Sequence, residues 1–317
     1  MKSIIVIGHK NPDTDSIVSS LVFADFLKKV KKPILGFSDF KVKPARAGFL
    51  NKETKFVLDY FKQKSPVLIK NLKNKDVILV DHGEFSQSVK GIEQANIVGV
   101  LDHHKLGGIE SVSPVFYRNE PIGSTSTIIA KMFLENNFSF DKKTAGLLLS
   151  AILSDTLKLT SPTTTNEDKE IVKILAKASK ENVNKLAQKI FEAKSDIKGV
   201  SIGELVSRDY KEYKGGKISF GIGVCETARP QEIKEKKEEI FSALKKLKKK
   251  RKVKLMFFTL VDILKKNSEV FLLAEKEKSV AEKIFKKKAK ENLLFLPGLI
   301  SRKKQMVPLM VSFLEKK

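Results

Sequence analysis

The sequence predicts an α/β protein: an N-terminal doubly wound, mainly parallel sheet, followed by a smaller C-terminal α/β domain. Three observations carry that expectation. Short apolar runs at residues 3–7, 77–80 and 97–101 are strand-like, and the segments between them include helical-length stretches. Each run, and the helix-forming run 147–153, closes on an acidic or His/Asp group, where open parallel sheets bind ligands. All four histidines of the chain, His9, His82, His103 and His104, lie in this pattern, and strands and helices alternate again in the His-free second half.

Residues 3–7 (SIIVI) read as a buried strand and Gly8-His-Lys-Asn-Pro-Asp-Thr-Asp-Ser16 as a tight loop. Pro12 lacks an N–H and clashes with a preceding helical turn, so the loop stays open through it. Asp15 or Ser16 is then the expected N-cap of a buried helix over 17–30. The loop presents His9, Asp13 and Asp15. A second strand is expected over 32–37, a loop over 44–48 and a helix over 54–61, with Arg46 and the stretch Asn51–Thr54 read as structural. The run 77–80 ends in Asp81-His82-Gly83-Glu84, and 97–101 ends in Asp102-His103-His104-Lys105.

A strand over 112–117 precedes Pro121-Ile-Gly-Ser-Thr-Ser-Thr127, which opens a helix to Leu134. Such a helix start offers free N–H groups and hydroxyls to an anion, or simply caps its own helix, and Arg118 and Asn119 are candidate supporting groups. Residues 144–153 are strong helix formers delivering Asp155. A turn at 161–166 leads to helices over 169–179 and 183–193. The texture changes near 189–199, giving a metal-binding domain over 1–189, a hinge over 190–198 and a second domain over 199–317. There, strands are expected at 216–224, 253–264 and 270–274, with a charged helix at 232–247 and another at 279–288. In the tail, Arg302, Lys303 and Lys304 sit between apolar flanks and before a Pro308 that ends the segment. Three cations in such a context are costly unless they meet anions.

Imidazole and carboxylate donors without thiolate suit Mn²⁺, Co²⁺, Mg²⁺ or Zn²⁺. The candidate ligands outnumber what one octahedral ion needs, so two metals fit better. Cys225 is the single cysteine, which excludes an internal disulfide and points to a reducing cytoplasm. No apolar run is long enough for a membrane helix, and the N-terminus enters a strand without a signal-peptide pattern. The formal charge of +24 comes almost wholly from lysines spread along the chain, with no Trp and 8% aromatics. That composition describes a solvated surface with nucleic acid bound at most nonspecifically.

Taken together, G-H-K-N-P-D-T-D-S, V-D-H-G-E, L-D-H-H-K and L-S-D-T, in that order, resemble the DHH phosphoesterase superfamily. More narrowly they resemble the manganese-dependent family II inorganic pyrophosphatases, whose DHHA2-type second domain carries a tail similar to P-G-L-I-S-R-K-K-Q-M-V-P here. The resemblance implies hydrolysis of pyrophosphate to two phosphates by a water or hydroxide bridging two metals, in a site between two domains. It makes Asp81 the bridging, catalytic carboxylate. His9 and Asp13 complete one metal site; Asp15, His103 and Asp155 complete the other. His104 becomes a substrate-side residue assisting proton transfer, while Asp102 orients a histidine and His82 supports the site from behind. Arg302 and Lys303 bind phosphate. The implied cofactors are two Mn²⁺ (or Co²⁺) per subunit with Mg²⁺ entering with the substrate, and the implied assembly is a homodimer.

The chain departs from the family pattern at Gly83, where Asn is usual, and at Lys105, where Arg is usual. A further phosphate-binding Lys of the pattern falls on Gly199 or Val200, with Lys198 as its possible substitute. Two other readings stay open on sequence. One is a DHH-type phosphodiesterase for short oligonucleotides or cyclic dinucleotides, against which stands the lack of any His after residue 104. The other is a non-catalytic polyanion-binding protein, which would need no complete ligand set.

Overall fold

An unbroken β-branched run suits a strand covered on both faces, and Ile4–Ile7 of β1 (Ser3–Ile7) are all buried. The computed structural model describes residues 3–30, 41–111 and 113–316. The chain divides into two units, Met1–Ala193 and Lys194–Lys317. Among the described residues, no helix is long and apolar enough to cross a membrane.

In the first unit β1 leads into α1 (Thr14–Lys29), β2 (Lys41–Arg46), α2 (Lys52–Tyr60), β3 (Val67–Leu68), β4 (Asp76–Val80), β5 (Asn96–Asp102) and β6 (Phe116–Asn119). Four helices follow: α3 (Thr125–Glu135), α4 (Lys142–Asp155), α5 (Asn166–Ser179) and α6 (Val183–Lys194). The six strands form one sheet in the order β3-β2-β1-β4-β5-β6, and every pairing is parallel. The order reverses between β1 and β4, so the crevice for a ligand opens beyond the carboxyl ends of those two strands. Ile5, Ile7, Val77, Leu79 and Val100 form the core on one side of this reversal.

Several elements differ from expectation. Asp13, rather than Asp15 or Ser16, caps α1, accepting from Ser16 N. Pro12 lies before the cap, where its missing N–H costs nothing, so the helix starts early and takes Asp15 into its buried first turn. The strand expected over 32–37 lies outside the described residues. The stretch expected as a loop at 44–48 begins inside β2, which includes Pro44. A proline is tolerated there because β3 pairs only with Ala45 and Arg46, leaving β2 an edge at Pro44. Of the strand expected over 112–117, residue 112 lies outside the described residues, residues 113–115 are irregular, and β6 begins at Phe116, beyond Pro114. The stretch expected as a hinge is helical for its first half, since α6 continues to Lys194.

The second unit holds α7 (Ile202–Ser207), β7 (Tyr210–Gly215), β8 (Ile218–Thr227), α8 (Pro230–Lys234), α9 (Lys237–Arg251), β9 (Leu255–Asp262), β10 (Asn267–Leu272), α10 (Glu275–Phe285), β11 (Leu293–Pro297) and α11 (Val307–Glu315). Its sheet runs β11-β10-β9-β8-β7 and is mixed, with only β8 and β9 parallel. β9 is buried at every residue, and its Met256 and Phe258 pack with Leu244 and Phe271 in the core. The long helix expected over 232–247 is two helices that change direction at Lys236, whose backbone is not helical. Strands β7 and β11 were not anticipated. Pro308 does not end a segment; it occupies the first turn of α11, where a proline loses no hydrogen bond. Arg302–Met306 forms a π-helical turn before it.

Candidate metal centre

Four of the predicted segments deliver their polar residues to one place. β1 ends just before His9, β4 just before Asp81, β5 at Asp102 before His103 and His104, and α4 ends at Asp155. Together with Asp13 and Asp15 at the start of α1, these side chains make three overlapping donor groups: His9, Asp13 and Asp81; Asp81, His103 and His104; Asp15, His103 and Asp155. Within each group the donor atoms lie within 4.8 Å of one another.

Asp81 links the first two groups through different oxygens. Its Oδ2 is 3.4 Å from His9 Nε2, and its Oδ1 is 3.4 Å from His103 Nε2. The residue has φ +61, a left-handed conformation that a non-glycine residue adopts at a cost and that is found at functional turns. Asp13 Oδ2 is 3.7 Å from His9 Nε2, and Asp155 Oδ2 is 3.3 Å from His103 Nε2.

The surroundings hold these groups in place. His103 Nδ1 lies 2.9 Å from the carbonyl of Ile122 and donates to it, which leaves Nε2 as the lone-pair nitrogen facing Asp81 and Asp155. The start of α3 donates to two of these carboxylates. Thr125 N and Ser126 N donate to Asp15 at 2.7 and 3.0 Å, Ser126 Oγ donates to Asp15 at 2.5 Å, and Thr125 Oγ1 donates to Asp81 at 3.1 Å. The helix N-terminus thus holds carboxylates of the chain itself. Asp102 Oδ1 accepts from the backbone N–H of His103 and His104 and from His104 Nδ1 at 2.9 Å. Asn119 donates to the carbonyl of His104, whereas Arg118 is spent on ion pairs with Glu120 and Glu135. His82 is fully buried between the carbonyl of Val80 and the hydroxyl of Ser88, outside the donor groups.

The electrostatics of the cluster favour a cation. Burial, then the neighbouring Asp81 charge, pushes Asp15 up to about 7. Burial, then Asp15 and Asp13, pushes Asp155 well above the usual carboxylate range. Burial disfavours charge on the two imidazoles as well, yet the carboxylates around them prevail. Asp13 and Asp81 push His9 up to about 10, and Asp81 and Asp155 push His103 up to about 11. Burial opposes ionisation of Asp81 too, but His103 and His9 hold it far below the carboxylate range. His103 Nε2 and Asp155 Oδ2 are buried with no hydrogen-bond partner among the described residues. In the metal-free protein a proton on each imidazole serves the facing carboxylates, and a bound cation would take its place. With nitrogen and hard oxygen as the only donors, the cluster fits manganese.

The predicted phosphate ligands lie in the second unit. Arg302 is turned inward there: Nη2 lies 2.7 Å from Asp209 Oδ1, and Nη1 donates to the carbonyls of Asp209 and Ile222. Lys303 is exposed. Lys198 is exposed in a turn beside Gly199, which has φ +77. Sequence reasoning missed Asp209, an ordinary surface-type residue without a motif. It also missed Asp168, which ties Gly123 N and Thr127 Oγ1 to the start of α5. For Asp168 a signal existed, since Thr165-Asn-Glu-Asp168 is a capping box.

The sequence matches the DHH family, N-terminal domain, over residues 3–152 and the DHHA2 domain over residues 188–313. The manganese-dependent inorganic pyrophosphatase of Methanothrix thermoacetophila is 38% identical, with 99% of both chains covered. That of Bacillus subtilis is also 38% identical, with 98% of each covered. The fold is similar to the crystal structure of a Methanococcus jannaschii family II inorganic pyrophosphatase, with a TM-score of 0.72 and 37% identity over 99% of this chain and 100% of that one. With both domains present in order and the likeness spanning the full length, this chain belongs to the manganese-dependent, family II inorganic pyrophosphatases.

Proposed function

We propose that the chain hydrolyses inorganic pyrophosphate to two phosphates at a centre of two manganese ions. The observation that carries this reading is Asp81, whose two oxygens face two different donor groups. His9, Asp13 and Asp81 would hold one ion; Asp15, His103, Asp155 and Asp81 would hold the other. Cobalt can replace manganese at such donors, and magnesium enters with the substrate. Bound manganese supplies Lewis acidity, lowering the pKa of a water and neutralising phosphate oxygens.

The remaining tasks fall to side chains. Thr125 and Ser126 keep the Asp81 and Asp15 oxygens aimed at the centre. Asp102 engages His104 Nδ1, so Nε2 is the nitrogen that passes a proton to the departing phosphate. Lys303 contributes charge to the substrate, Arg302 reaches it by exchanging Asp209 for phosphate, and Lys198 adds a third contact. The chain acts as a cytoplasmic homodimer without a membrane partner. Phosphate release from pyrophosphate in Mn²⁺, beside a linear dinucleotide as competitor substrate, tests the reading. Turnover of the dinucleotide with pyrophosphate left intact would replace it with the phosphodiesterase reading.

A further inference from the structure

We infer that Glu53, which belongs to none of the three metal-donor groups, is a positioning residue that sets the spacing between Asp15 and Asp155. It sits in the first turn of α2, is 4% exposed, and receives two hydroxyls on one oxygen. Thr14 Oγ1 donates to Glu53 Oε1 at 2.7 Å, and Ser154 Oγ donates to the same oxygen. Thr14 lies between Asp13 and Asp15, and Ser154 directly precedes Asp155. One buried carboxylate therefore joins the segments that carry three of the six proposed ligands, although α2 itself supplies none.

The need for such a tie follows from where those ligands sit. Asp155 is the last residue of α4, and Asp15 lies in the first turn of α1. Helix ends are the least constrained parts of a helix, because their terminal backbone groups lack partners within it. Beyond Asp155 the helix does not continue: Thr156 N and Lys158 N close its last turn on Ile152 and Leu153, and Leu157, Lys158 and Leu159 then have left-handed φ values of +47, +56 and +63. Thr54 reinforces the clamp, its Oγ1 lying 3.1 Å from Thr14 Oγ1. Asn51 fixes the start of α2 by accepting from Thr54 N at 2.7 Å. The stretch Asn51–Thr54 is thus a brace for the proposed metal centre as well as a helix start.

This inference rests on the two-manganese reading, and the test separates the two. Mn²⁺ binding to the full chain is followed by calorimetry and by the electron paramagnetic resonance of the ion. Glu53→Ala should weaken the ion held by Asp15, His103 and Asp155 by about 10- to 100-fold, the usual cost of losing an outer support of a metal site. The ion held by His9 and Asp13 should be much less affected. Glu53→Gln keeps an oxygen acceptor and should restore wild-type affinity. Thr14→Val and Ser154→Ala, which each cut one arm and leave Glu53 in place, should each weaken the same ion several-fold. Wild-type affinity in Ser154→Ala and Thr14→Val, or equal losses in Glu53→Gln and Glu53→Ala, would overturn the positioning role alone. A wild-type chain that binds fewer than two ions would overturn the metal reading and this inference with it.

Discussion

Arg302 donates from Nη2 to the Asp209 carboxylate at 2.7 Å, and the same guanidinium grips the carbonyls of Asp209 and Ile222. The arginine of the tail motif therefore ties the π-helical turn to the start of β7 and to β8. A lysine cannot span these acceptors. Arg302→Lys is expected to lose about 1–2 kcal/mol of stability from the broken charged hydrogen bonds, measured by urea unfolding. It should also lose roughly ten- to a thousandfold in kcat/KM. Asp209→Ala should lose similar stability while kcat stays near wild type, because it frees the arginine for phosphate. Equal losses of turnover in both variants would mean that Arg302 only braces the unit.

Asp81→Ala removes a carboxylate shared between two donor groups. Metal analysis of the purified variant should find at least one manganese lost. Changes outside the ligand sphere cost about 10- to 100-fold, so loss of the shared ligand should lower turnover by more than that. Two ions per chain and normal turnover would remove the bridging role.

The metal-free protein should respond to pH in a definite direction. His9 at about 10, His103 at about 11 and Asp15 at about 7 all have folded values above their ordinary ones. Each contributes stability that is complete below its unfolded pKa and is lost as pH rises through the folded one. The melting temperature of EDTA-treated protein should therefore fall as pH rises, from Asp15 between roughly 4 and 7 and from the histidines above roughly 6.5. Asp81 acts in the opposite sense, but only in acid, since its folded value is depressed. Manganese should flatten the decline by replacing the bound protons with a cation. A melting temperature that climbs from pH 6 to 9 without metal would contradict this account.

His104 owes its raised pKa first to the hydrogen bond it donates to Asp102. Asp102→Asn should therefore let His104 lose its proton at lower pH and move the alkaline limb of the kcat profile downward. A fall in kcat of about 10- to 100-fold is expected at neutral pH. An unmoved alkaline limb would assign the proton transfer elsewhere.

The charge of +24 leads to a separate expectation. Lysines crowd the later turns of α9, whose buried side is carried by Ile240, Leu244 and Leu247. DNA and RNA should bind weakly, without sequence preference, and be released well below about 0.5 M salt. Tight binding that survives such salt would point to a dedicated nucleic-acid surface.

What the sequence determined by itself was local and periodic. Apolar runs set β1, β4 and β5, Pro12 set the open loop before α1, and the His/Asp groups at the run ends marked the candidate centre. These signals are legible because each depends on a few adjacent residues and on the side-chain periods of strand and helix. Only the tertiary structure decided which oxygen of Asp81 meets which imidazole, and that the Ile122 carbonyl selects the lone-pair nitrogen of His103. It alone turned Arg302 toward Asp209, 93 residues away, and brought Glu53 to Ser154 across 101. Such contacts join residues far apart in the chain through groups that carry no motif of their own. The burial that makes a hydroxyl or a carbonyl seek one partner exists only after the sheet has closed around it.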